Sequence, residues 1–170
     1  ISRAQARAWY PARPMVVAAM NACPCGYRGQ ARDRCRCSPS QVARYQRRVS
    51  GPLLDRLDVH VRVAPVDVHA LSRGSDGESS SVVRERVVAA RHRQLRRYEA
   101  GETHHRTNAE LSLHELEKVA PLDRECRRQL EASTANLGLS ARAFVKVLRV
   151  ARTVADIEGS EVIRWGYLEE

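Results

Sequence analysis

Four cysteines fall into two Cys-x-Cys pairs, Cys23-Pro24-Cys25 and Cys35-Arg36-Cys37, separated by nine residues. Four soft thiolates drawn from one short loop suit a tetrahedral zinc ion, which would supply the stability that sparse apolar content cannot. Four free thiols or a disulfide clip are the competing readings. The 170 residues contain no secretory signal and no apolar span of membrane length, which predicts no membrane association and a reducing cytoplasmic setting where disulfides are disfavoured. The fifth cysteine, Cys126, stands alone in a helical pattern and reads as a small buried apolar residue. Around the paired cysteines the chain is cationic. Residues 28–48 hold seven arginines against Asp33, a local +6, within a formal net charge of +9. Arg28, Arg32, Arg34 and Arg36 line the metal loop itself, a pattern suited to nucleic-acid phosphates. A second basic cluster runs from Arg84 to Arg97, whereas residues 107–170 carry nine basic and eleven acidic residues. Codon bias would explain why 27 of the 29 basic residues are arginine, but not why they cluster.

Three further residues stand where chemistry is expected. Asn21 closes an apolar run, and in open α/β sheets ligands sit beyond the carboxyl ends of strands. A neutral amide there can orient a water or touch a phosphate without adding negative charge. Arg56 follows Gly51-Pro52-Leu53-Leu54-Asp55, a rigid turn; its plainest alternative is a surface ion pair with Asp55 or Asp58. Arg142 follows the helix cap Ser140, in a first turn where the helix dipole disfavours a cation by about 0.3–1 kcal/mol. A nearby phosphate would reverse that penalty, and a solvated arginine tolerating it is the bland alternative. Adjacent His104 and His105 read as a solvated loop, with no cysteine or carboxylate at a recognisable metal spacing.

The elements that must position these residues divide into two kinds. Residues 13–21 read as a continuous apolar strand and Val59-His60-Val61-Arg62-Val63 as an alternating one. Between them, Ser38 caps a helix from Pro39 to Val49. A strand, an inserted metal loop, a helix and a strand suit the distal half of a parallel α/β sheet. After the polar stretch from Gly74 to Ser81, the remainder reads as helical. Val83, Val87, Ala90, Gln94, Leu95 and Tyr98 mark an arginine-rich helix; Ser112-Leu113-His114-Glu115 is a capping box. Pro121 can open the next helix, with Leu122, Cys126, Leu130 and Leu137 on one face and Gly138 at its end. Ser140 then caps a longer helix with Phe144, Val147, Leu148, Ala151, Val154 and Ala155 at core spacing. Arg149 and Arg152, mid-helix, read as pairing or solvated residues. The predicted domains are 1–73, an α/β unit with the metal insertion at 22–38; 74–108, a linker and basic helix; and 109–170, a helical lid.

Three ordered blocks carry a family resemblance over essentially the whole chain. They are Met20-Asn21-Ala22-Cys23-Pro24-Cys25-Gly26-Tyr27 with Cys35-Arg36-Cys37-Ser38-Pro39; Ser50-Gly51-Pro52-Leu53-Leu54-Asp55-Arg56-Leu57-Asp58; and Leu139-Ser140-Ala141-Arg142 through Arg152-Thr153-Val154-Ala155-Asp156. Together they resemble the magnesium-chelatase-like AAA+ ATPases of the YifB/ComM type. Ala22 departs from the proline usual there, loosening the turn after Asn21 but sparing the thiols. The resemblance implies the distal half of an AAA+ P-loop NTPase core with a four-cysteine metal-loop insertion, followed by an α-helical lid. It implies sensor 1 at Asn21, an arginine finger acting in trans at Arg56, and sensor 2 at Arg142. It further implies ATP and Mg2+ as cofactors of the full-length protein, a homo-oligomeric ring of hexameric type, and DNA as partner. No Gly-x-x-x-x-Gly-Lys-Ser/Thr loop and no apolar strand ending in paired acids occur in the 170 residues, so this chain is expected to be a C-terminal part, inactive towards ATP alone. A zinc-dependent DNA-binding module without enzymatic activity and a metal-chelatase or chaperone-like subunit are the alternatives.

Overall fold

A computed structural model of the chain describes residues 2–3, 6–11, 14–29, 34–64 and 77–169. It divides into two compact units, Ile1–Ser50 and Gly51–Glu170.

The first unit is held by few apolar contacts. A short antiparallel pair, β1 (Ser2–Arg3) with β2 (Ala6–Arg7), opens it. Helix α1 (Pro39–Gln46) follows the cysteine loop. Ser38 caps it as expected: its hydroxyl accepts from the Gln41 N–H while the Gln41 side chain accepts from the Ser38 N–H, and Pro39 needs no partner at the first position. Among the described residues of this unit, only Cys23 and Val42 are buried.

The expected strands are corrected here. Residues 14–21 and 59–64 carry neither helix nor strand, and Val17 and Val63 are 85% and 83% exposed. A strand exists only through its ladder partners. Among the described residues these two stretches have none, and their β-favouring side chains face solvent. The described residues are mainly helical, and apart from α1 their helices lie in the second unit.

That unit runs from α2 (Gly51–Leu54) to α3 (Ser80–Glu99), a 3-10 turn (Asn108–Glu110), α4 (Leu113–Val119), α5 (Arg124–Asn136), α6 (Ala141–Glu158) and α7 (Gly166–Glu169). Its core sits on α6, where Leu148, Ala151 and Ala155 meet Leu111, Leu116, Val119 and Leu130. Ala151 and Ala155 are wholly buried, and their small side chains let α3, the 3-10 turn and α4 approach the α6 backbone. Each fully buried leucine contributes about 1.5–3 kcal/mol. Ser112 and Glu115 form the expected capping box on α4. Buried Glu115 is held down to about 2 by the Ser112 hydroxyl, the Ser112 N–H and the His104 N–H. Ser140 caps α6, and Gly159 ends it at φ +73°, a left-handed conformation. Helix α5 ends at left-handed Gly138 as expected, φ +60°, but departs from expectation at its start and at Leu137. Asp123, not the segment at Pro121, caps it, and Leu137 lies past its end, 71% exposed. Cys126 is buried as expected.

A second departure is polar. Val83, Val87 and Leu95 of α3 are exposed, while Ala90 and Gln94 are buried and Arg97 reaches inward. Arg97 clasps the fully buried Asp156 carboxylate with both terminal nitrogens, at 2.8 and 2.5 Å. Asn108 donates to the same carboxylate at 2.8 Å, and the buried Arg152 guanidinium adds a contact at 2.9 Å. Burial opposes the charge on Asp156, but these donors outweigh it and keep the carboxyl below its usual range. Arg152 also donates to the carbonyls of Val119, Ser160 and Glu161, tying the loop after α6 to the end of α4. The 100–108 loop is therefore not merely solvated, since it delivers buried Thr103 and Asn108. Replacing Asp156 by alanine would leave two guanidinium groups facing each other without their anion. The expected loss is about 3–5 kcal/mol, measured as a lowered denaturation midpoint.

Candidate functional site

The cysteine loop gathers its thiols as the spacing predicts. Gly26 turns the chain at φ +81°, its N–H donating to the Cys23 carbonyl at 3.1 Å. The sulfurs of Cys23 and Cys25 lie 3.3 Å apart, and each is 3.7 Å from that of Cys35. All four ligand atoms, Cys37 included, fall within 4.8 Å of one another. A tetrahedron with metal–sulfur bonds of about 2.3 Å has sulfurs about 3.8 Å apart, whereas a disulfide needs about 2.05 Å. The donor set fits zinc, and all four cysteines are free of disulfides.

The electrostatics of the cluster point the same way. Burial works against the Cys23 thiolate, but the Cys25 thiol, the Arg28 N–H and Cys35 stabilise it and bring it down to about 6. At Cys37 the Cys25 N–H favours the thiolate, but the Cys25 thiol, burial and the thiols of Cys23 and Cys35 together push it up to about 12. Four sulfurs this close cannot all carry charge without a cation between them, and a divalent ion removes that repulsion.

Asn21 lies at the foot of the same loop, exposed, its amide beside the position a Cβ would take on Gly26. Arg28, Arg34 and Arg36 are exposed. Arg32 lies outside the described residues.

The other two arginines lie in the second unit, one on the turn after α2 and one on the helix that this turn touches. Arg56 sits where α2 unwinds, its main-chain N–H bonded to the Leu53 carbonyl at 3.0 Å and its Nη1 donating back to the Pro52 carbonyl at 2.6 Å. The side chain is exposed. Arg142, in the first turn of α6, has Nη1 3.7 Å from an Asp55 carboxylate oxygen. Both side chains of that pair are 41% or more exposed, so it holds little energy. It is long enough to yield to a stronger anion. One turn further along α6, Lys146 donates to the main-chain carbonyls of Asp55 and Leu57. No sequence signal singled Lys146 out, since a lone lysine on an amphipathic helix reads as a solvated residue. Arg149 and Arg152 are pairing residues, Arg149 bonding the Leu111 carbonyl.

Comparison with known families matches both parts of the chain. Residues 1–71 match the magnesium chelatase, subunit ChlI model, and residues 77–170 match the subunit ChlI C-terminal model. A YifB protein of Salmonella typhimurium is 42% identical over the whole chain. The chain belongs to the magnesium-chelatase-like YifB/ComM family. YifB of Escherichia coli is 41% identical and competence protein ComM of Haemophilus influenzae 40%, each again over the whole chain. The chain spans 32% of the length of these relatives. Among the described residues, no helix of this family member is long and apolar enough to cross a membrane.

Zinc analysis checks the metal centre. The purified protein is expected to hold about one zinc per chain, and the Cys35→Ser, Cys37→Ser double variant none. Because zinc must displace the proton that Cys37 otherwise keeps, uptake should release protons and weaken as pH falls. Calorimetry in buffers of different ionisation enthalpy measures that release.

Proposed function

We propose that the full-length protein is an AAA+ ATPase working as a DNA-directed ring motor, of branch-migration or helicase type, in recombination or natural transformation. This chain contributes the distal α/β core, the zinc loop and the helical lid. The observation that carries the reading is the docking of the turn that bears exposed Arg56 against the helix whose first turn bears Arg142, in a chain of this family. The exposed apolar stretches 14–21 and 59–64 supply strands to a sheet whose other strands lie elsewhere in the full-length protein. Their β-favouring composition and exposed side chains support this.

In this scheme ATP and Mg2+ are held by the phosphate-binding loop and acidic residues of another part of the full-length protein. Bound there, Mg2+ neutralises phosphate charge during hydrolysis. Arg56 reaches from one subunit to the nucleotide of its neighbour, where a permanently charged, planar guanidinium can bridge two phosphoryl oxygens as charge builds. Arg142 exchanges Asp55 for a nucleotide phosphate, which turns an unfavourable helix-start cation into a favourable one. Asn21 orients the attacking water. A finger in trans requires a closed ring, and a hexamer in the cytoplasm is the arrangement proposed.

The zinc loop, with Arg28, Arg32, Arg34 and Arg36, is the proposed DNA contact. The family relationship to a competence protein supports a nucleic-acid substrate over a porphyrin one.

Two measurements test the proposal. Arg56→Ala should lower turnover by about 10³-fold or more while ATP still binds, because it removes charge aimed at the transition state. ATP hydrolysis and nucleotide binding by assembled full-length rings measure both halves. Neutralising the four loop arginines should weaken DNA binding and reduce the slope of log affinity against log salt by about 0.9 for every phosphate no longer neutralised. A salt titration with an unchanged slope would leave the arginines to subunit contacts.

A further inference from the structure

Lys146 has no task in the scheme above, yet its placement is specific. It lies on α6 one turn after Arg142, and its ammonium donates to the carbonyl oxygens of Asp55 at 3.0 Å and Leu57 at 2.7 Å. Those two carbonyls flank Arg56 on either side. The partners are 91 and 89 residues away in sequence, and both are main-chain acceptors, not carboxylates. A lysine so placed does not balance a charge. It fixes the path of a backbone.

Among the described residues, the Arg142 link between α6 and this turn is weaker. The Arg142–Asp55 pair is long and exposed, and it opens if Arg142 turns to a phosphate. His60 touches the Leu54 carbonyl at 3.3 Å, but this contact lies within the turn's own segment and does not reach α6. The two lysine bonds tie the Arg56 turn, at two adjacent points of its backbone, to the helix that bears Arg142.

We infer that Lys146 is the positioning residue for Arg56, clamping the main chain on both sides of it so that finger and lid helix move as one body. The inference rests on the reading of Arg56 as a trans-acting finger. It adds a route for regulation: a lid movement driven by the nucleotide of one subunit carries the finger that serves its neighbour. Lys146 touches no nucleotide in this scheme, and its effect is exerted through the aim of Arg56.

Full-length rings test the inference through Lys146→Met, which keeps the stem but cannot donate, and Lys146→Arg, which keeps both charge and donors. A displaced finger should lower kcat by about tenfold to a hundredfold, since misplacement of about 1 Å at a reacting centre costs up to that much. KM for ATP should not change, and Lys146→Arg should recover most of the turnover. The readout that a merely structural role would not move is subunit mixing. Lys146→Met subunits combined with subunits unable to bind ATP should regain part of the activity, because an ATP-loaded site beside an ATP-dead subunit that faces it is then served by an intact finger. Arg56→Ala subunits should regain it in the same way. Should the methionine variant not assemble, Lys146→Gln, which keeps a single amide donor, is read by the same criteria. Impaired Arg56→Ala with unimpaired Lys146→Met overturns the positioning role and leaves the finger standing. A Lys146→Met defect that mixing does not relieve also overturns it, since the lysine would then serve its own subunit. Normal hydrolysis by Arg56→Ala would instead overturn the finger itself.

Discussion

The second unit depends on one carboxylate. Asp156 has no exposed surface, and two arginines and an asparagine from three separate segments converge on it. Hydrophobic contact alone would let α3 slide along α6, because α3 offers only Ala90 and Gln94 as buried positions. The bidentate Arg97 clasp fixes the register, since a planar fork and a carboxylate match in only a few orientations. The loop after α6 inherits that order through Arg152, which bonds the carbonyls of Ser160 and Glu161. Glycine at position 159 is favoured first by its backbone, and a side chain there would also have to displace the end of Arg93. Its φ is +73°, and a Cβ there would stand 2.9 Å from the Arg93 guanidinium. With α6 so held at its carboxyl end, its amino-terminal half can present Arg142 and Lys146 to the Arg56 turn from a fixed axis.

The first unit solves a different problem. With two buried residues among those described, it lacks the apolar area for a core, and four converging thiols offer a metal site in its place. The same shortage of apolar side chains leaves its surface free for arginine. A loop stiffened by metal can carry closely spaced cations that a loop held by weak packing would splay apart. Dense positive charge and a cysteine cluster are thus two aspects of one design.

The features legible in the sequence were those decided locally. Ser38, Ser112 and Ser140 each cap the helix that their neighbours announce, because a cap needs only three or four successive residues. The cysteine cluster was equally plain, its four ligands lying within fifteen residues, 23–37. What escaped depends on distant partners. Arg97 and Asp156 are 59 positions apart, and nothing in either neighbourhood announces the other. Lys146 is hidden in the same way. The runs at 14–21 and 59–64 have strand composition, yet composition cannot provide a ladder, and these stretches form no strand without one. Leu137 misled for a smaller reason: α5 ends before it, so helical spacing no longer turns it inward.

Arg56, on a turn docked against α6, is proposed to reach nucleotide across a subunit boundary. A structure of the full-length ring with a slowly hydrolysed ATP analogue tests it most directly. The account predicts the Arg56 guanidinium within about 3 Å of a phosphate oxygen held by the neighbouring subunit, with Lys146 still bonded to the carbonyls of Asp55 and Leu57. An Arg56 still folded onto the Pro52 carbonyl, remote from every nucleotide in a closed and loaded ring, would contradict it.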